Sequence, residues 1–408
     1  MKLALVLPDL AHKGGAESVV AWTAAGLARR GHEVAVVTGS ARPELWPDLP
    51  ELGDLVQTVE PEARGKRVER HLLTGRRIAP LLQSFPLVYA HNRYGLLWSL
   101  GASGRLCWYC QEPSRRLHAP STDAFLIRAL SRDDVDPAHP ALVQLKSILR
   151  RQTRNPKRRL RTWRRRRQDR NWAARPERVF VNSSFSAGVF GQALHRRPEV
   201  LDLGVPETRR PEPRAGRGGI AVVSSGSVKK NLFGVLQAAR ELERRRALPG
   251  QVFHVWGIGT DGEEFRALVD AWDLSGRVVL HGFREDAWAE KRLAASDLCL
   301  FLPLSEPFGL VPVEALLAGV PILVSDHGGP AGILERCGGG RAVDPLRPDR
   351  IADALETQLG SDQARAAGRE EARKAGERAR EIFSMPRYLD RTERLLGLAA
   401  QESEAAAQ

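Results

Sequence analysis

Apolar residues near the amino terminus follow two patterns in turn, one typical of a buried strand and one typical of a helix. Lys2–Leu7 is a nearly continuous apolar run, as expected for a parallel strand covered on both faces. From Glu17 to Arg30 apolar residues recur at helical spacing, and Gly31 follows where a left-handed residue can end a helix. A second apolar run, Glu33–Thr38, completes a strand–helix–strand unit, which predicts a parallel sheet.

The alternation of short apolar runs and helical segments continues along the chain and is interrupted once. Between Val205 and Gly219 the sequence is rich in Pro, Gly and charge, which is typical of a linker. Strands are predicted at Leu87–Ala90, Leu106–Tyr109 and Val179–Val181 before this segment, and at Ile220–Ser224, Val252–Trp256, Val278–Leu280, Leu298–Phe301 and Ile322–Val324 after it. Helices are predicted between the later strands at Leu232–Arg245, Glu263–Asp270, Val313–Ala318 and Arg350–Leu359.

These patterns predict an α/β protein with two Rossmann-like, doubly wound parallel-sheet domains facing a central cleft. The carboxyl ends of the strands, where such sheets bind ligands, are expected to line that cleft. The predicted parts are an N-terminal domain at 1–204, a linker at 205–219, a C-terminal domain at 220–383, a helix at 384–400 and a disordered tail at 401–408. An irregular, Arg-rich insertion is expected at about 113–174 of the N-terminal domain.

Composition narrows the class of protein. Of 408 residues, 42% are hydrophobic and 27% charged, which is ordinary for a globular chain. No apolar run approaches the ~20 residues of a membrane span. Asp9 interrupts the apolar start, which favours a first strand over a signal peptide, so we expect a cytoplasmic protein. Four cysteines are too few for a disulfide framework, and Cys107 and Cys110 are interpreted as core residues.

The net charge of +13 is concentrated in one segment. Residues 150–170 contain 11 Arg and 1 Lys against Asp169 alone, so the rest of the chain carries only +2. This segment could be a solvated arm, bind an anionic membrane through its Leu and Trp residues, or hold an anionic ligand such as a phosphorylated acceptor. A nucleic-acid role is less favoured, because no helix-turn-helix, zinc or RNP pattern accompanies the charge.

The segment 305–330, SEPFGLVPVEALLAGVPILVSDHGGP, has the pattern of a loop, a helix and a strand. Pro312 suits the first turn of a helix, and Gly319 can end it. Glu306 lies in the loop before the helix, and Glu314 lies eight residues later, on its first turns. Two carboxylates beside the free amides of a helix N-terminus suit a ligand with hydroxyls next to phosphates. A sugar nucleotide is such a ligand.

This segment resembles the E-x7-E motif of retaining GT-B glycosyltransferases of family 4, and the resemblance covers most of the chain outside about 113–174 and the tail. It implies that Glu306 contacts the donor sugar hydroxyls and that Glu314 binds the ribose hydroxyls. It also implies a metal-independent reaction without a cofactor, and a C-terminal helix that crosses back to the N-terminal domain. The backbone amides expected to hold the sugar and phosphate are those of Phe308, Gly309, Leu310 and Val311.

Polar or glycine residues follow the predicted strands of the N-terminal domain. Gly14 and Gly15 precede the first helix, where glycine allows a phosphate to approach the backbone closely. The three-glycine dinucleotide fingerprint is absent, which argues against an NAD enzyme. By resemblance, Gly14 and Gly15 lie against the donor diphosphate and His91 contacts the donor sugar. Glu112 is an acceptor-side candidate.

A second basic motif follows the strand that opens the C-terminal domain. Here Lys229 and Lys230 are the candidate cations. By resemblance, Lys230 neutralises the leaving diphosphate, while Ser227 stands where the family has Arg, and Lys229 is the residue that can compensate. Gly257, after the next strand, matches a family loop near the donor nucleotide.

By this resemblance we expect a hexosyltransferase-type enzyme that uses a nucleotide sugar, UDP- or GDP-linked, and the resemblance alone implies that the anomeric configuration is retained. A D-x-D pattern at Asp134 and Asp136 lies in the insertion with no strand before it, so no metal site is expected. Three alternatives stay open: a non-catalytic GT-B-like partner subunit, a GT-B-like sugar-nucleotide epimerase, and a protein that binds an anionic surface or nucleic acid through residues 150–170. The sequence does not identify the acceptor, whether a natural product, a glycolipid or a polysaccharide.

Overall fold

A computed structural model describes residues 1–206 and 218–398 of the chain. These residues divide into two compact units. The N-terminal domain comprises residues 1–122, 154–204 and the chain from Met385 onward, and the C-terminal domain comprises residues 123–153 and 205–384. Most of the predicted linker and the whole predicted tail, 401–408, lie outside the described residues.

Each domain is built on one parallel sheet. The strands are β1 (Lys2–Val6), β2 (Glu33–Thr38), β3 (Val56–Thr58), β4 (Leu87–His91), β5 (Arg105–Tyr109), β6 (Arg178–Val181), β7 (Glu199–Val200), β8 (Ile220–Val223), β9 (Phe253–Trp256), β10 (Val278–Gly282), β11 (Leu298–Phe301), β12 (Ile322–Ser325) and β13 (Gly340–Val343). The central strands β4 and β11 are buried on both faces, with every residue buried.

Helices cover both sheets. They are α1 (Gly15–Arg29), α2 (Leu52–Leu55), α3 (Arg67–Leu82), α4 (Asn92–Ser99), α5 (Arg115–Thr122), α6 (Ala124–Ala129), α7 (Pro140–Thr153), α8 (Pro156–Ala173), α9 (Ser184–Leu194), α10 (Leu232–Arg244), α11 (Glu263–Ala271), α12 (Asp286–Ala294), α13 (Leu310–Leu317), α14 (Gly329–Cys337), α15 (Pro348–Leu359), α16 (Asp362–Phe383) and α17 (Met385–Leu396). Short 3₁₀ turns lie at Pro43–Leu45 and Val228–Lys230.

The strand order places a topological switch point in each sheet. The N-terminal sheet runs β3-β2-β1-β4-β5-β6-β7 and the C-terminal sheet β10-β9-β8-β11-β12-β13, with every pair parallel. In such sheets the crevice for a ligand opens where the strand order reverses, beyond the carboxyl ends of the strands. That point lies between β1 and β4 in the first sheet and between β8 and β11 in the second. The predicted pair of doubly wound α/β domains is confirmed.

The first helix ends as its sequence predicts. Gly31 has a φ of +84°, and its amide donates to the carbonyl of Ala28 at 2.9 Å. The next amide, of His32, reaches back to the carbonyl of Leu27 at 3.2 Å. This pair of bonds is a Schellman motif, which satisfies carbonyls that the helix end would otherwise leave unpaired.

The insertion is the part of the fold that the sequence described least well. We expected an irregular segment at 113–174 within the N-terminal domain, but helices α5 to α8 occupy most of it. Residues 123–153, which include α6 and α7, group with the C-terminal domain. Arginine-rich helices such as α8 lack an apolar period, which is why the pattern concealed them.

The last described helix, α17, returns to the N-terminal domain, as the resemblance implied. The Tyr388 hydroxyl lies 2.8 Å from the Thr23 hydroxyl of α1, and Leu389 packs against Gly26. Within the described part of the chain, the helices are all too short or too polar to span a bilayer.

Candidate functional site

Two loops meet at the switch point of the C-terminal sheet. The loop after β8 contains the predicted cations, and the loop after β11 contains Glu306. The amide of Leu304 donates to the carbonyl of Lys229 at 2.7 Å, which joins the two loops through their backbones. The charged residues of both loops therefore lie where doubly wound sheets bind their ligands.

The structure brings together two of the residues predicted to be catalytic. Lys230 Nζ donates to Glu306 Oε2 at 2.9 Å, and both side chains are partly buried. The same Nζ lies 5.4 Å from the centre of the Phe301 ring at the end of β11. Aromatic faces attract cations, so Phe301 supports the position of the ammonium group. A diphosphate oxygen would compete with Glu306 for this ammonium group.

The N-terminus of α13 lies next to this ion pair in the sequence. Gly309 precedes the helix with a φ of +105°, a conformation that glycine adopts without strain. The first amides of a helix have no intrahelical acceptor, so those of Leu310 and Val311 are available to an anion. Phe308 is buried against Phe383, with ring centres 5.5 Å apart, which fixes the turn.

Ser305 and the glycines behind Glu306 are residues that the sequence analysis did not single out. Ser305 is buried with a φ of +62°, and its hydroxyl has no hydrogen-bond partner among the described residues. The amide of Gly329 donates to the carbonyl of Glu306 at 2.8 Å. A Cβ on Gly328 would lie 2.7 Å from that carbonyl oxygen. The His-Gly-Gly sequence at 327–329 was the signal for this close approach.

Glu314 lies on α13, half-buried, as the eight-residue spacing predicted. Burial, together with the charges of Asp286 and Glu290 on α12, raises the pKa of its carboxyl from 4.5 to about 7. A carboxylate in such surroundings favours a partner that donates hydrogen bonds. A pair of vicinal hydroxyls would supply them.

The raised pKa of Glu314 predicts a pH-dependent stability. Because the folded-state pKa lies above the ordinary value of 4.5, protonated Glu314 contributes stability that is lost as the pH rises from 4.5 to about 7. At ~1.4 kcal/mol per pKa unit, the loss is at most about 3 kcal/mol. We expect Glu314→Gln to melt at a higher temperature than the wild type at pH 8, and the difference to vanish near pH 4.5. Equal melting curves at both pH values would contradict this prediction.

The predicted nucleotide loop at Gly257 packs against the loop after β8. Gly257 has a φ of +126°, and a Cβ there would lie 1.9 Å from the carbonyl oxygen of Ser224. The amide of Gly226 donates to the carbonyl of Ile258 at 2.9 Å, which orders the turn that carries Ser227. Only glycine therefore fits at position 257. Ile258 and Phe283 stay exposed at the carboxyl ends of β9 and β10.

In the N-terminal domain the predicted residues lie at that sheet's own switch point. Gly14 caps α1 and Gly15 is its first residue. His91 is the last residue of β4 and is buried against the rings of Tyr89 and Tyr109, at 4.5 and 5.6 Å. Burial lowers the pKa of His91 to about 3, so its imidazole is neutral. Both ring nitrogens lack a partner among the described residues, and buried polar atoms of this kind call for a ligand.

Glu112 follows β5 and is half-buried. Its charge contributes to the raised pKa of the neighbouring Cys110, although burial of the thiol is the main cause. All four cysteines are buried and unpaired, which agrees with their interpretation as core residues. Glu112 therefore lies at a strand end of the N-terminal sheet, and its acceptor-side role stays a prediction.

The two aspartates of the D-x-D pattern have partners in the C-terminal domain. Asp134 pairs with Arg132 and Arg347, and Asp136 accepts the amide of Ala138 at 2.8 Å. The arginine partners lower the pKa of Asp134 to about 2. Asp134, through Arg347, and Asp136, which accepts from Nε2 of Gln237 at 3.4 Å, thus hold residues 123–153 against their domain.

The basic segment is mostly the helix α8. Its residues 156–161 and 163–165 are exposed, including Leu160 and Trp163. The single acid of the segment, Asp169, points inward, where it binds Arg93 at 2.7 Å and His118 at 2.8 Å. The excess positive charge of the helix is therefore not balanced by any acid of its own.

Comparison with known proteins finds a family match within the C-terminal domain. Residues 206–381 match the model of the family described as "Glycosyl transferases group 1". A stretch of 184 residues is 32% identical to "Probable sucrose-phosphate synthase 5" of Oryza sativa subsp. japonica. This match covers 41% of the present chain and 18% of the rice protein, so the chain spans less than a fifth of that relative's length.

Solved structures resemble the chain over nearly its whole length. The Anabaena protein HepE, in complex with UDP and glucose, has a TM-score of 0.71 at 18% identity, and the match covers 97% of this chain and 99% of HepE. The sucrose-phosphate synthase of Thermosynechococcus elongatus also has a TM-score of 0.71, at 17% identity over 97% of this chain and 98% of that protein. At these identities the likeness establishes the fold, and the predicted GT-B fold is confirmed.

Proposed function

We propose that this chain, of which residues 206–381 match the glycosyl transferases group 1 family, transfers a sugar from a nucleotide-sugar donor to an acceptor hydroxyl with retention of configuration. The observation that carries the proposal is the ion pair between Lys230 and Glu306 at a switch point of a parallel sheet. A cation, a carboxylate and the free amides of α13 form a set suited to a diphosphate joined to a polyhydroxylated ring.

Each group of this set has one chemical task. Lys230 and the first amides of α13 stabilise the negative charge that develops on the leaving diphosphate. Glu306 accepts hydrogen bonds from the sugar hydroxyls and orients the ring, and Glu314 accepts those of the ribose. In the N-terminal domain, we assign to neutral His91 a hydrogen bond with the donor sugar and to Gly14 and Gly15 a contact with the diphosphate.

In the proposed reaction, the bond between the anomeric carbon and the diphosphate oxygen breaks as the acceptor oxygen bonds to the same face of that carbon. The acceptor's proton passes to an oxygen of the leaving diphosphate, so no protein base is needed. The lysine and the helix amides supply the electrostatic stabilisation that a metal ion supplies in other enzymes. We therefore propose a reaction that needs neither metal nor cofactor.

Among donors, UDP-sugars and GDP-sugars are the candidates, and the relatives favour UDP. HepE was solved with UDP and glucose, and with UDP-glucose. We extend this preference to the present chain, because it shares its fold with HepE over nearly its whole length.

A donor panel tests the proposed function. Purified protein would be incubated with UDP-, GDP-, ADP- and TDP-sugars, with Glu306→Ala as the control, and released nucleoside diphosphate would be measured. We expect release from one donor and its loss in the variant. If no donor of the panel is hydrolysed or bound, the proposal is wrong. The Ser at position 227, where the family has Arg, would then support a non-catalytic partner subunit.

The exposed residues of α8 support a proposal about a second kind of partner, an anionic surface. Arginines three and four positions apart repel one another along this helix, and an anionic surface would relieve that repulsion. Leu160 and Trp163 are exposed among them. We propose that the helix lies on an anionic membrane at the cytoplasmic face, which would place a lipid-linked acceptor near the enzyme.

Vesicle flotation tests the membrane contact. We expect the protein to float with phosphatidylcholine vesicles only when they contain phosphatidylglycerol, and to be released by salt. Replacing Arg164 and Arg165 with Gln should weaken binding about 30-fold, at about 1 kcal/mol per basic residue. The charge-matched control is Gln at Arg76 and Arg77, an exposed pair on α3. Equal loss in both variants, or no flotation of the wild type, would exclude a specific contact through α8.

A further inference from the structure

Residues 123–153, here called the helical insert, contact three loops of the C-terminal domain. These loops follow β8, β12 and β13, and the first of them contains Lys230. The contacts are the stacked rings of Phe125 and His327 with centres 4.6 Å apart, the ion pair of Arg132 with Asp344 at 2.7 Å, the ion pair of Asp134 with Arg347, and the hydrogen bond of His139 with Asn231 at 3.0 Å. The helical insert thus lies at the carboxyl ends of the strands of the C-terminal sheet, where the candidate donor site also lies.

The hydrogen bonds of His139 define its protonation. The amide of Ala141 donates to Nδ1 at 3.2 Å, so Nδ1 is an acceptor and Nε2 carries the proton. Nε2 lies 3.0 Å from Asn231 Oδ1 and donates to it. Burial lowers the pKa of His139, which agrees with a neutral ring in a buried position. His139 is therefore a fixed donor directed at one acceptor.

Asn231 has an uncommon backbone conformation, and the contacts of its side chain hold it there. It has a φ of +56°, in the left-handed region that residues other than glycine rarely adopt. Its side chain is buried and makes three contacts: Oδ1 accepts from His139 and, at 3.3 Å, from the amide of Gly234, and Nδ2 donates to the carbonyl of Pro345 at 2.9 Å. Asn231 directly follows Lys230, so its conformation sets the direction in which the lysine leaves the loop.

The other side of the helical insert contacts the loop behind Glu306. Phe125 stacks on His327, and the adjacent Gly328 pairs with Glu306 in an isolated parallel bridge. Lys230 is therefore adjacent to a residue that the helical insert contacts, and Glu306 pairs with the neighbour of a second such residue. No sequence period pointed to this arrangement, since His139 and Asn231 are 92 positions apart.

We propose that the helical insert positions the two charged residues of the donor site, and that His139 is the positioning residue for Lys230 through its hydrogen bond to Asn231. The claim that the helical insert orders the loop containing Lys230 rests on these contacts alone. Only the consequence for donor binding rests on the proposed function. His139 touches neither reacting group and acts through the backbone of the loop.

Hydrogen–deuterium exchange tests the positioning directly. In His139→Ala, the amides of residues 225–231 should exchange roughly tenfold faster than in the wild type, as expected when one hydrogen bond to a buried acceptor is lost. His139→Gln should restore slow exchange, because its side-chain amide can donate to Asn231. Val143→Ala, an exposed change on α7 of the same insert, is the matched control and should leave residues 225–231 unchanged.

Two outcomes would overturn the proposal. One is unchanged exchange of residues 225–231 in His139→Ala. The other is faster exchange confined to residues 140–153, which would mean that His139 only stabilises its own helix. The affinity of the same three variants for UDP-glucose is the second measurement. We expect weaker binding in His139→Ala alone. Faster loop exchange together with no binding by the wild type would support the positioning role and refute the proposed function.

Discussion

Replacing Lys230 with Ala is expected to lower the turnover of donor by about 10²–10³-fold, the usual cost of removing one preorganised charge from a developing anion. The ammonium group lies 2.9 Å from Glu306 and is supported by the Phe301 ring, so it is held in place before a donor arrives. The measurement is the steady-state rate of nucleoside diphosphate release. Lys230→Arg should keep most of the rate, because it retains the charge.

Two controls separate this effect from a general loss of charge or of fold. Lys374→Ala removes an exposed lysine of α16 and should leave the rate unchanged. Thermal melting of Lys230→Ala shows whether the unpaired, partly buried Glu306 destabilises the protein. If the Lys230→Ala rate stays within about threefold of the wild type while Lys374→Ala is normal, Lys230 does not stabilise the leaving group.

Replacing Glu306 with Ala should lower turnover by about 10²-fold or more, because a sugar displaced by about 1 Å loses reactivity on this scale. The carboxylate is directed by a loop with a strained Ser305 and by the amide of Gly329 bonded to its own carbonyl. Glu306→Gln keeps the size of the side chain and one acceptor oxygen. Its rate should therefore lie between those of the wild type and Glu306→Ala.

The two substitutions should not be additive. Lys230 and Glu306 contact each other, and residues in contact show coupling of about 0.5–3 kcal/mol in double-mutant cycles. We expect the double variant to be less impaired than the product of the two single effects. Strict additivity would show that the pair acts at two independent sites.

Much of this site could be read from the sequence because its parts are local. Glu306 and Glu314 belong to one loop and one helix, and Pro312 and Gly319 mark the ends of that helix. Lys230 follows an apolar strand, and strand ends of a parallel sheet meet at one edge. The sequence analysis assigned Lys230 and Glu306 to one donor by resemblance, and the structure places their side chains 2.9 Å apart.

Contacts across long separations escaped the sequence analysis. His139 and Asn231 have no pattern in common, and nothing in the isolated D-x-D pattern indicated that Asp134 pairs with Arg347. The Arg run of α8 hides its helix, because a helix that is polar on all sides has no apolar stripe. Buried Asp169, which holds α8 to Arg93 and His118, looked like an ordinary charge in the run.

In the N-terminal domain, the sequence predicted where a residue lies along its strand but not how its side chain packs. The position of His91 at a strand end was predictable, since β4 is a short apolar run. Its burial between two tyrosine rings was not, because side-chain packing depends on residues from β5 and on neighbours that periodicity does not specify. The roles of Gly14, Gly15, Glu112 and His91 toward a ligand remain predictions.

Calorimetric titration of the purified protein with UDP, GDP and their glucose conjugates tests the central claim most directly. The account predicts that one nucleotide binds with one-to-one stoichiometry, that Lys230→Ala weakens binding of both the diphosphate and the sugar nucleotide, and that Glu306→Ala weakens only the sugar nucleotide. Absence of binding for every nucleotide, or identical binding by the wild type and both variants, would contradict the assignment of the donor site to the loops after β8 and β11.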